Sequence, residues 1–194
     1  YQLASLTVEP DGEAPFHLNA GRFAMPATAT TVRAVFEEIP PPGSYVVDFE
    51  DGDKFTYPTA NVVLNGKMWE LEQALISTDI NNVIAGFKSA RLRDGTNAPA
   101  LTLLEDLTNG LGRLSFKYRA AASVIDPVDW QAEYSRDGGA SWVRIGRPFA
   151  PPAHTVVQFF TRGVHVTGAV RVRIVRASTN VVEASRLLVD DLVA

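Results

Sequence analysis

Apolar and polar residues alternate with a period of two along most of this chain, in runs of four to eight, and no run sustains a helical period. Arg113 to Arg119 is the clearest case. Leu114, Phe116 and Tyr118 fall on one face, and Arg113, Ser115, Lys117 and Arg119 on the other. Asp129 to Ser135 repeats the pattern, with Trp130, Ala132 and Tyr134 opposite Gln131 and Glu133. Further strands are predicted at Tyr45 to Glu50, Asn61 to Leu64, Met68 to Leu75, Ser89 to Leu92, Ala100 to Leu104, Trp142 to Ile145, His154 to Phe160, Val170 to Val175 and Leu187 to Val193. Turn residues punctuate them: Asp51-Gly52, Asn65-Gly66, Asp94-Gly95, Asn109-Gly110 and Asp137-Gly138-Gly139. One helical turn fits within residues 77 to 88.

Residues 1 to 38 form a separate short unit, with strand-like runs around Leu3, Leu6 and Val8, at Phe16 to Leu18 and at Thr30 to Phe36. A proline-rich linker at residues 39 to 43 follows. Consecutive prolines favour a stiff polyproline II spacer and stop a strand from continuing. Residues 44 to 194 then carry many short strands with no helices between them. The expected fold is all-β, a two-sheet β-sandwich of the jelly-roll kind.

Composition narrows the function classes. With 46% hydrophobic and 21% charged residues the chain has the makings of a packed core, so disorder is excluded. A net charge of −4 argues against a general nucleic-acid binder. No apolar run approaches the ~18 residues that span a bilayer, so no membrane insertion is expected. There are no cysteines, which removes disulfides, thiol catalysis and thiolate metal sites. His17, His154 and His165 have no metal-ligand spacing, and no nucleophile elbow or phosphate loop occurs. The chain opens at Tyr1 inside a strand-like pattern without a signal peptide, as a mature or trimmed fragment would.

Three resemblances refine this reading. Ser135, Asp137, Gly139, Ser141 and Trp142 stand at the spacing S-x-D-x-G-x-[ST]-[WF] and resemble the Asp-box. In that motif the Asp ties a hairpin turn and the aromatic plugs the sheet, which implies a structural role and a core position for Trp142, alongside Trp69 and Trp130. Tyr1, Leu3, Ser5 to Val8, Gly21, Phe23, Met25, Pro26, Val32 and Ala34 to Phe36 resemble the second half of a divergent internalin-type B-repeat. That resemblance implies a stalk-like module whose open edge takes a partner strand from a neighbouring domain or subunit. Finally, Phe49-Glu50, Gly86 to Leu92, Gly112 to Tyr118 and Val189-Asp190-Asp191-Leu192 fall in the order of landmarks found in jelly-roll modules of secreted bacterial proteins, and are similar to carbohydrate-binding modules of that fold.

The last resemblance implies one structural calcium ion, shared by Glu50 and by Asp190 or Asp191 across adjacent first and last strands; the alternative is two solvated strand ends. It also implies a glycan on a concave sheet face lined by polar groups and an exposed aromatic. The residues that answer to that description are Arg113, Lys117, Arg119, Gln131, Glu133, Arg171 and Arg173, a polar comb expected on neighbouring strands. The expectation is therefore a non-catalytic, glycan-binding module of a secreted or cell-surface bacterial protein. The alternatives are a structural spacer or assembly module, or an accessory domain of a secreted hydrolase. An exposed tryptophan beside the comb would favour the glycan.

Overall fold

The computed structural model describes residues 2–10, 16–17, 30–37, 43–93, 98–121, 128–151, 154–177 and 185–194. The chain divides into two compact units, Tyr1–Gly43 and Ser44–Ala194. In the first, β1 (Gln2–Pro10) lies between β2 (Phe16–His17) and β3 (Thr30–Glu37) in an antiparallel sheet. The register sets Val8 opposite Phe16 and Leu6 opposite Ala34, and it shifts between Leu3 and Ser5. Gly21, Phe23, Met25 and Pro26 of the repeat resemblance, and residues 39–42 of the linker, lie outside the described residues.

The second unit is a β-sandwich of two six-stranded antiparallel sheets. Its strands are β4 (Val46–Val47), β5 (Ala60–Leu64), β6 (Lys67–Glu72), β7 (Ala74–Ser77), β8 (Ser89–Arg93), β9 (Ala100–Leu103), β10 (Leu111–Ala120), β11 (Trp130–Ser135), β12 (Val143–Phe149), β13 (Gln158–Val166), β14 (Arg171–Arg176) and β15 (Arg186–Val193). The first sheet runs β13-β10-β15-β8-β7, with β4 also on β15; the second runs β12-β11-β14-β9-β6-β5. A single 3₁₀ turn, Ile80–Asn82, is capped by the Asp79 side chain. Among the described residues no helix is long and apolar enough to cross a membrane.

Alternation explains the layering. Leu114, Phe116 and Tyr118 of β10 face Trp130 and Ala132 of β11 across the interior, all buried. At one margin Phe116 stacks on Phe160 at 4.6 Å, and Phe149 from the opposite sheet packs against Phe116, Tyr118 and Phe160. Near the other margin the buried Trp69 donates its indole N–H to Tyr45 Oη at 2.9 Å, and Tyr45 donates in turn to the Leu64 carbonyl. Burial pushes the Tyr45 phenol up to about 12.

Three expectations on strand limits need correction. Tyr45 to Glu50 narrows to β4. The run expected at His154 to Phe160 begins four residues later and extends to Val166. Met68 to Leu75 is not one strand. Gln73 adopts the left-handed conformation (φ 46°) and divides it, so that β6 lies in the second sheet and β7 in the first. The Asn65-Gly66 turn has positive φ at both residues, as a tight two-residue hairpin needs.

Candidate functional site

The two sheets differ in what covers their outer faces. The first carries the segment 78–88 across it, and that segment is fastened from below. Arg119, only 8% exposed, donates to the carbonyls of Asn81 (2.9 Å), Val83 (3.0 Å), His154 (3.0 Å) and Ala120 (3.2 Å). Asp190, 1% exposed, accepts from Ser89 Oγ at 2.6 Å, from Ala85 N at 3.0 Å and from Asp191 N at 2.9 Å. Burial pushes its carboxyl up to about 7, assisted by the neighbouring Asp191 charge and opposed by the Ser89 bond. Glu50 Oε1 accepts from Phe87 N (2.7 Å) and Lys88 N (3.0 Å). That approach requires Gly86, where φ is +59° and a Cβ would lie 2.2 Å from the carboxylate oxygen.

These contacts decide how well the three carboxylates suit calcium. Every contact described for Glu50 Oε1 and for Asp190 comes from an N–H or O–H donor, whereas calcium wants six to eight oxygens with lone pairs turned inward. Asp191 pairs instead with Lys117 at 2.6 Å. Among the described residues no three acidic or histidine side chains come together. The donor set does not fit the ion; Glu50 and Asp190 bind a loop.

The polar comb is divided by the fold. Arg113, Lys117 and Arg119 stand on β10 in the first sheet, whereas Gln131 and Glu133 on β11 and Arg171 and Arg173 on β14 stand in the second. The expectation that all seven share neighbouring strands is therefore corrected. Alternation shows which side of a strand faces water but not which sheet the strand joins. Arg119 is also removed from any ligand, since its guanidinium is committed to the covering segment.

The second sheet's outer face is open. Its register brings Glu133, Arg173, Thr102 and Glu70 into one row across β11, β14, β9 and β6, with Gln131, Val175, Ala100 and Glu72 in the next. A depression of about 360 Å³ lies here, lined by Glu70, Glu72, Thr102, Arg171, Arg173 and Trp142 among others. Each side chain toward the hairpin is held. Glu133 accepts from Gln131 through Oε1 and from Arg173 through Oε2 (2.6 Å). The Arg173 guanidinium carbon stands 4.3 Å from the centre of the Trp142 ring. Arg171 donates to Asp106 Oδ1 and to the Gly138 carbonyl, both at 2.7 Å, which moors the tip of the β11–β12 hairpin.

The hairpin holds its own shape. Asp137 accepts from Ser135 Oγ (2.7 Å), from Ser141 N (2.9 Å) and from the Ser141 hydroxyl, while Ser135 Oγ accepts from Gly139 N at 2.8 Å. The two serine hydroxyls and the Ser141 amide hold the Asp137 carboxyl down at about 2. Trp142 does not plug the sheet. It is half-buried, with Gly139 and Arg173 beside it, and it lines the depression; the core position expected for it is corrected. Trp69 and Trp130 are fully buried. Glu70 and Glu72 were missed by the sequence reading, although their alternation with buried Trp69 and Leu71 places both on the open face.

No protein-family model matches the sequence, and no curated protein matches it. Solved structures do. The K2 cleaved adhesin domain of Lys-gingipain is similar with a TM-score of 0.56 at 12% identity, over 77% of this chain and 98% of that one. TmCBM61 in complex with β-1,4-galactotriose scores 0.48 at 13% identity, over 75% of this chain and 91% of that one. The non-crystalline-cellulose-specific module CBM28 scores 0.49 at 13% identity, over 75% and 90%. The adhesin-domain likeness establishes the fold, a β-sandwich, and nothing beyond it.

Proposed function

We propose that residues 44–194 form a non-catalytic module that binds a glycan on the open face of the second sheet, as part of an extracellular bacterial protein. The observation that carries this reading is Trp142, half-exposed and held at the rim of a polar depression by Arg173 and by the moored hairpin. Sugar rings present C–H faces that stack on aromatic rings, and hydroxyls that pair with carboxylates, guanidiniums and threonine. A rigid aromatic beside such groups suits that surface. The segment 78–88 covers part of the first sheet's outer face, whereas the second sheet's outer face is open around Trp142.

The test is a glycan array probed with the full chain and with Trp142→Ala. The expected result is binding to a defined glycan class that the substitution abolishes while the melting temperature stays within a few degrees. A blank array from folded protein, or binding indifferent to Trp142, overturns the reading.

A further inference from the structure

Resting on the glycan reading of this groove, we infer that the ligand is a cationic glycan, one whose sugar units carry protonated amino groups, engaged by Glu70 and Glu72. The two carboxylates sit at alternate positions of β6, so both point out from the same face, about 6.6 Å apart along the strand. Among the described residues neither makes a hydrogen bond or an ion pair.

The groove's positive charges are in the opposite condition. Arg171 is paired with Asp106 and Arg173 with Glu133, at 2.7 and 2.6 Å, and each guanidinium has a further partner in Gly138 or Trp142. Each guanidinium's charge is already offset by a paired carboxylate, and an incoming carboxylate or sulfate would stand close to Glu70 and Glu72, which no described residue neutralises. Arg144, opposite Glu133 on the edge strand β12, lies outside the groove lining. An incoming ammonium meets acceptors that no described residue occupies. Two half-buried carboxylates on one strand face, with no partner among the described residues, gain a counter-charge when a cationic ligand binds. Thr102, in the row between Arg173 and Glu70, offers a hydroxyl to a neighbouring sugar hydroxyl.

Titration calorimetry on the full chain, in mildly acidic buffer at low and high salt, separates the outcomes. The probes are glucosamine oligomers, their N-acetylated counterparts, cello-oligosaccharides and oligogalacturonates. The glucosamine oligomers should bind roughly tenfold tighter than the acetylated ones. That margin should shrink with salt and disappear in the double variant Glu70→Gln, Glu72→Gln, and the oligogalacturonates should not bind. Equal affinity for neutral and amino oligomers, an unchanged ratio in the double variant, or binding of the uronates would overturn the charge assignment and leave glycan binding standing. No binding of any probe by folded protein would overturn the cationic-glycan assignment, and a blank glycan array would overturn glycan binding with it.

Discussion

Arg119→Met tests whether the segment 78–88 is clamped onto the first sheet. The substitution keeps the aliphatic stem and removes a cation that donates four hydrogen bonds to carbonyls at 2.9–3.2 Å. Bonds from a charged donor contribute roughly 1.5–3 kcal/mol each. Three of the acceptors, on Asn81, Val83 and His154, sit where water can replace the lost donor, and removing the buried cation also removes its desolvation cost of several kcal/mol. The net destabilisation is therefore well below the sum, about 3 kcal/mol. For a domain of this size that corresponds to a melting temperature lower by roughly 6–12 °C. Lysine should not rescue it, because one ammonium cannot reach acceptors spread over two loops. Urea denaturation gives the magnitude, and hydrogen exchange should localise the loss to amides of residues 78–88. Glycan binding should survive in the folded variant, since the groove lies on the other sheet. A melting temperature within about 2 °C of the parent refutes the clamp. Loss of binding by folded Arg119→Met refutes the assignment of the open face.

Two other outcomes follow from the carboxylates. The Asp137 carboxyl is held at about 2, below its ordinary value, so its support for the hairpin is complete above the unfolded value near 4 and is lost as pH falls through 2. Across that interval the parent's melting temperature should fall further than that of Asp137→Asn; parallel curves would show that the turn's hydrogen bonds carry no stability. Melting curves in calcium and in chelator should coincide, because Glu50 and Asp190 already accept from backbone amides of the 85–88 segment. A stabilisation by calcium that Glu50→Gln removes would show that the segment rearranges to admit the ion.

Much of the sandwich is legible in single strands. Leu114, Phe116 and Tyr118 announce their buried face, and Asn65-Gly66 announces its turn, because side-chain alternation and left-handed backbone are local properties. What joins β6 and β7 is not local. A glutamine gives no sign of φ 46°, and only the packing of two sheets puts Gln73 at a corner. The division of the comb has the same origin, since β10 and β11 look alike in sequence and belong to different layers. Trp142 misleads for another reason. The spacing of Ser135, Asp137 and Ser141 specifies the turn's hydrogen bonds, but where the ring lies depends on Arg173, thirty-one residues further along.

Gln73 has a further consequence. At that margin one residue carries the chain from the second sheet to the first, whereas at the opposite margin β12 and β13 are joined by the longer run 150–157 and held by the rings of Phe149 and Phe160. The sandwich is thus bound like a book, with its spine at Gln73 and its fore-edge at the aromatic contacts. Glu70 and Glu72 sit three and one residues from the spine, while Trp142 rides on the hairpin that leads into the fore-edge strand. Both jaws of the groove, the charged one on β6 and the aromatic one on the β11–β12 hairpin, accordingly belong to the same cover, so their spacing is set within one sheet and not by how the two covers meet.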